Sequence, residues 1–250
     1  MRTFRILFFK ELKSYFLTPF GWLILWFAAL MQGWILSGTL EAFENEAQPD
    51  SLVYKNFTAP FFWFYFLFLF PVLTMRLFSE ESRSGTLEGL LTAPVRTWQV
   101  VLSKFSAAYL CFAVLWIPAL IHFKLFTTIT DIPPPFTTGE LAGAFIIIML
   151  MGALFTAIGC LASVMTSSQI IAGIICVGFL LVHFLVGLVP QTYGDQIAAA
   201  PLFEFVSCQN HVEIFSRGLI DTRPIAYYLS TTAFVLLLTH HLLDYRRWKP

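Results

Sequence analysis

The sequence predicts an all-α polytopic membrane protein, and three observations carry that reading. Of 250 residues, 58% are hydrophobic and only 12% are charged, too few to clothe a water-facing globule. The mean hydropathy is +0.75. Six apolar runs, at about 19–40, 59–77, 100–126, 141–165, 170–189 and 225–243, each come close to or exceed the roughly 20 residues that a helix needs to cross a hydrocarbon core of about 30 Å. They leave no room for a separate soluble domain, so residues 1–250 read as one transmembrane unit.

Taken in order, residues 1–18 come first. Phe4, Leu7, Phe8, Glu11, Leu12, Tyr15 and Phe16 recur near i, i+3, i+4 spacing, with Arg2, Arg5, Lys10 and Lys13 largely to one side. This fits a basic amphipathic helix in the membrane interface; a charged flank to the first span is the plainer alternative. Pro19 then turns the chain inward. The first run is too long for a cleaved signal, whose apolar stretch is about 7–15 residues. The second, "APFFWFYFLFLFPVLTMR", holds eight aromatic residues suited to packing and lipid contact, and Pro71 predicts a kink near 68–71. The third is read as one helix over 100–126. In the fourth, Gly152, the pair Ala153 and Ala157, and the pair Gly159 and Ser163 place small residues where helices can approach closely, so it belongs inside the bundle. A tight turn at 166–169 leads to the fifth. Residues 190–224 are long enough for short helices before the sixth span.

Charge sets the expected orientation. With both termini cytoplasmic, eleven of the 15 lysines and arginines fall inside and only Lys55, Lys124, Arg217 and Arg223 outside. The balanced net charge gives no reason to expect nucleic acid as a partner. Cys111, Cys160 and Cys176 fall in expected helices and only Cys208 in an outer loop, so no disulfide pair and no zinc spacing is available.

One segment stands out from this apolar background: "FSEESRSGTLEGLLTAPVRTW", residues 78–98. Glu80, Glu81 and Arg83 extend the second span into water, and Gly85 breaks it. Thr86 is positioned to cap a short helix with Glu88 in its first turn and Leu87, Leu90 and Leu91 on one face. Pro94 ends it, and Arg96 and Lys104 mark re-entry. Exposed leucines between charged flanks suit a plug for a groove on a soluble partner. A self-packed loop is the alternative, and the residues alone leave both open.

The run Glu80 to Lys104 resembles the cytoplasmic coupling segment of type-2 ABC exporter permeases. "KELKSYFLTPFGW" is similar to that family's N-terminal elbow helix and its entry into the first span, and "HVEIFSRGLIDTRPIAYYLS" to the approach to the last span in the gliding-motility-type subfamily. The resemblance implies six spans, an elbow helix at 1–18 and a coupling helix within 78–98. It implies that Glu80, Glu81, Arg83, Gly85, Thr86, Glu88, Leu90, Leu91 and Pro94 engage a separate cytoplasmic ABC ATPase, which binds ATP and Mg. It further implies a second permease copy, homologous or identical, in a cell (inner or plasma) membrane, with lipids and an outer accessory protein as further partners. No G-x-x-x-x-G-K-[ST] occurs, so this chain has no phosphate cradle of that type.

Two other functions are compatible with parts of the sequence. A mechanical ABC complex that transmits force without transport would share the same sequence features. An intramembrane enzyme is disfavoured: after Glu81 the arginine comes two residues later, not the four of E-E-x-x-x-R proteases, no H-E-x-x-H occurs, and adjacent His240 and His241 diverge by about 100° on a helix. The apolar span centres also disfavour an ion relay and suit lipidic or amphiphilic cargo, or force transmission. Cysteine labelling tests the orientation: a cysteine at position 84 should react only with reagent on the cytoplasmic side and one at position 48 only from outside, and outside labelling of position 84 would invert the scheme.

Overall fold

The computed structural model describes residues 2–44, 50–129, 135–193 and 200–248. Within them the chain forms only helices: α1 (Arg2–Phe16), α2 (Pro19–Glu44), α3 (Leu52–Thr58), α4 (Pro60–Thr74), α5 (Ser79–Arg83), α6 (Thr86–Thr92), α7 (Thr97–Leu115), α8 (Ile117–Ile129), α9 (Thr138–Met165), α10 (Gln169–Tyr193), α11 (Ala200–Val206), α12 (Cys208–Ser216) and α13 (Thr222–Trp248). Six stretches are long and apolar enough to cross a membrane: 19–42, 60–83, 97–129, 138–165, 169–190 and 222–246. The protein is a multi-pass membrane protein. Alternation of the spans gathers α1, α5, α6 and the end of α13 at one end of the bundle, and α3, α11 and α12 at the other.

Local chemistry explains the boundaries. Pro19 and Pro60 each sit at the first position of a helix, where a missing N–H costs nothing. Thr137 caps α9: its hydroxyl accepts the Glu140 N–H, and the Glu140 carboxylate accepts the Thr137 N–H. The third span is not one helix, as expected, but two that meet at Trp116. Pro118 has no N–H to give Val114 and its ring crowds that carbonyl, so the chain tightens: the Trp116 N–H bonds Ala113 at 3.2 Å before α8 begins. Pro71, by contrast, does not end α4, which continues to Thr74 with the Met75 N–H bonded to the Pro71 carbonyl at 2.9 Å.

The fourth span, α9, is the centre of the bundle. It touches α4, α7, α10, α12 and α13, and 61% of its most apolar window is buried, against 22% for α10 and for α13. Glycines permit this. A Cβ on Gly143 would lie 2.3 Å from the Phe215 carbonyl oxygen, and one on Gly152 would lie 2.0 Å from the Phe112 ring. The aromatic second span divides its rings as expected: Phe62, Tyr65, Phe66 and Phe70 are buried while Phe61, Phe64 and Phe68 are exposed. Phe66 and Phe70 continue into Phe112 and Phe155 with ring centroids 5.0 to 6.2 Å apart.

At the opposite end from α1, among the described residues, α11 and α12 lie in the segment before the last span. The segment starts later than position 190, because α10 runs through Pro190 to Tyr193. α3 was not anticipated; it buries Leu52, Val53, Asn56 and Phe57 beneath α12. In α12, His211 Nδ1 lies 3.1 Å from the Tyr228 hydroxyl. Burial, with nearby His183 as a smaller cause, pushes the His211 pKa down to about 4, so this contact stays neutral.

The close approaches predict different outcomes for two glycines. Gly143→Ala must displace backbone and should cost about 1–3 kcal/mol, read as a lower thermal midpoint in detergent. Gly178→Ala meets nothing within 4 Å and should be neutral or slightly stabilising.

Candidate functional site

The polar segment after the second span folds back on the bundle instead of standing clear of it. Ser163 of α9 accepts the N–H groups of Phe78 at 2.9 Å and Ser79 at 3.1 Å, satisfying two donors at the start of α5. α5 lasts five residues and ends where Gly85 takes φ 70°, a left-handed conformation that disfavours any side chain. Nothing lies within 4 Å of a Cβ built there, so conformation and not space selects glycine. The expected cap at Thr86 is not formed. Gly85 occupies the cap position, and the Thr86 hydroxyl instead lies 2.9 Å from Ser84 Oγ and donates to the Glu81 carbonyl at 3.3 Å. α6 ends at Thr92, with Ala93 extended before Pro94 as a residue preceding proline must tend to be.

The decisive geometry is a closed ring of four charges. Glu81 of α5 holds Lys10 of α1 at 2.7 Å through one carboxylate oxygen and Lys104 of α7 at 3.0 Å through the other. Lys104 also binds Glu11 of α1 at 2.9 Å, and Lys10 closes the circuit to Glu11 at 3.6 Å. Two cations and two anions alternate on three elements. The Lys104 side chain is only 3% exposed and that of Glu81 15%, whereas that of Lys10 is 60% exposed. The Phe78 ring lies 5.4 Å from the Lys104 ammonium. Burial alone would lower the Lys10 pKa, but the Glu81 and Glu11 carboxylates outweigh it and raise it. Lys104 therefore does not mark a surface re-entry point. It is buried because two carboxylates compensate it.

The remaining predicted residues separate into two groups. Glu80 pairs with Arg76 at 3.0 Å on the surface, and Arg83, Thr86, Glu88 and Pro94 are exposed. The leucine face, expected to project outward, turns inward: Leu87 is buried and Leu90 is half-buried against the chain's own core. The Leu91 side chain lies outside the described residues. Further ties reach α13, where Arg246 donates to Ser82 at 3.3 Å and Thr97 donates to Asp244 at 2.8 Å. Sequence reasoning missed the partners of Glu81. The available signal was Glu11, an acidic residue on the apolar stripe of an otherwise basic helix.

A second concavity lies at the opposite end between α4 and α10. It is an open groove of about 550 Å³ lined by Trp63, Phe64, Leu181, Phe184 and Leu188, with Gln209 and Glu213 of α12 among its polar residues.

The sequence profile of a family described as ABC-2 family transporter protein matches residues 23–242. The chain belongs to this family. An ABC-2 family member is a permease subunit of an ABC transporter, a membrane transport component and not itself the catalytic subunit. Members generally work with a cytoplasmic ATPase subunit. The family match takes in Glu81 and Lys104 but begins after Lys10 and Glu11, so half of the charge ring lies outside it. No curated protein matches the chain significantly.

Burial ranks the ring members. Lys104→Met leaves two carboxylates facing each other and should cost on the order of 3–5 kcal/mol. Lys10→Met, at the exposed corner, should cost about 1 kcal/mol or less. Unfolding in detergent of both variants checks the order, and equal losses would refute it.

Proposed function

We propose that this ABC-2 permease is the membrane-spanning half of an ATP-driven exporter and that residues 78–98 couple it to a separate cytoplasmic ATPase. One observation carries this reading: Glu81 is locked to α1 and α7 while Arg83, Thr86, Glu88 and Pro94, a few residues along the same segment, remain exposed. An element open on one side and fastened on the other suits the transfer of motion. The exposed group contacts the ATPase together with Glu80 and Leu91; Gly85 sets the angle between α5 and α6; Leu90 seats α6 on the bundle; Glu81 passes displacement to the elbow helix α1 and to α7.

In this scheme both termini are cytoplasmic, the membrane is the cell membrane, and two permease copies form the path. ATP and Mg bind only to the ATPase. Cargo is lipidic or amphiphilic, in keeping with the largely apolar groove and its polar residues. The likeness to gliding-motility-type permeases supports a place near that subfamily, and α3, α11 and α12 offer an outer face for an accessory protein.

Because Leu90 packs against the permease itself, an aspartate there would test folding before docking. The exposed charges are the sharper probe. Arg83→Glu combined with Glu88→Arg should reduce co-purification of the ATPase by about tenfold or more, while the permease keeps its thermal midpoint. Glu81→Gln should leave the ATPase bound but separate ATP turnover from transport. Ser167→Asp and Ser168→Asp, at the short turn, should leave binding unchanged. Full ATPase retention by the double charge reversal would reduce residues 78–98 to a connector.

A further inference from the structure

Between α2, α3, α4 and the break that separates α7 from α8 lies a small cavity lined by Gln32, Asn56, Trp116 and His122 among apolar neighbours. Four buried polar atoms on these side chains have no hydrogen-bond partner in the protein: Gln32 Oε1, Asn56 Oδ1, Trp116 Nε1 and His122 Nδ1. Gln32, Asn56 and Trp116 are each more than nine-tenths buried. The amide of Gln32 is oriented by its other end, since Nε2 donates to the Leu115 carbonyl at 2.9 Å and to the Tyr65 hydroxyl at 3.4 Å. Its oxygen is thus left over. Four residues that line one cavity thus carry unpaired buried polar atoms, and such a set calls for an occupant.

We infer that this cavity is a binding site for a single water molecule. The cavity volume is about 10 Å³, about the least that admits one water. The chemistry matches in number as well as size. Water gives two hydrogens and accepts two; the cavity offers two acceptors, the amide oxygens of Gln32 and Asn56, and a certain donor in the indole N–H of Trp116. His122 completes the set as a donor, which assigns its proton to Nδ1, because a third acceptor would exceed the hydrogens that one water can give. A metal cation is disfavoured by the same inventory. Two free oxygens fall far short of the six or more that a hard cation takes, and the indole N–H would face it.

The position gives the water a task. Pro118 removes a backbone hydrogen bond from the α7–α8 break, and the water supplies a polar link in the same place, joining Trp116 at the break to α2 through Gln32, to α3 through Asn56 and to α8 through His122. Gly33 leaves room for the His122 ring: a Cβ there would approach its Cε1 at 3.3 Å.

Radiolytic labelling of the full chain in detergent, with a rapid change to water carrying heavy oxygen and mass-spectrometric readout, tests the site. Trp116 should be oxidised despite its burial, and should take up the heavy isotope more slowly than exposed Trp98. Asn56→Leu, which removes an acceptor and fills the space, should cut Trp116 oxidation by about fivefold or more, as loss of a bound water requires. Gln32→Met should do the same and serves if the first variant does not fold. Absence of Trp116 oxidation in the unaltered chain, or oxidation unchanged in a folded variant, would overturn the site. So would a thermal midpoint that shifts when choline replaces sodium and potassium, since that would assign the cavity to a cation.

Discussion

Lys104 is a full positive charge placed some two turns inside a membrane-spanning helix, and the surrounding architecture at that end of the bundle answers to it. Isolated in an apolar interior, an ammonium would cost several kcal/mol. Here Glu81 and Glu11 approach it at 3.0 and 2.9 Å, and Lys10 balances the second negative charge. With all four members present the ring is neutral, and loss of any one of them leaves a net charge. Its attraction is poorly screened where it is buried, so α1, α5 and α7 are held in one relative placement instead of sliding independently. Such a cluster is better understood as a device for fixing geometry than as a source of net stability, because the gain in attraction is largely offset by lost hydration.

The other organising constraint is steric. α9 reaches the middle of the bundle because Gly143, Gly152 and Gly159 let a carbonyl, a phenyl ring and Thr74 come where a side chain would stand. Ser163, on the same helix, then anchors the start of α5 by accepting two backbone N–H groups. The polar segment is thereby joined to the spine of the protein by hydrogen bonds and to its flank by charge. Displacement of α5 cannot be confined to a loop.

Much of the fold was legible because membrane insertion imposes a simple code. Six long apolar runs, proline at helix starts and small residues at helical spacing each correspond to a physical necessity, and they located the spans and the central helix. What stayed hidden depended on contacts between distant residues. Lys104 looked like a boundary charge, since nothing local reveals that Glu11, 93 positions earlier, lies 2.9 Å away. Leu87 and Leu90 formed an apolar face in either reading, and only the packing of α6 shows that the face is used internally. Thr86 fitted a helix cap by residue type, but the left-handed Gly85 already occupied that position. The break at Trp116 was written in Pro118, though continuous hydropathy across it suggested one helix.

The order of the ring along the chain bears on how the protein is made. Lys10 and Glu11 leave the ribosome first, Glu81 follows the second span, and Lys104 arrives with the third. By the time the buried lysine must part from water, both carboxylates that neutralise it have already been synthesised. Half of the ring is thus already present on α1 when Lys104 emerges, so that seating the buried lysine and fastening the N-terminal helix are coupled by the same contacts.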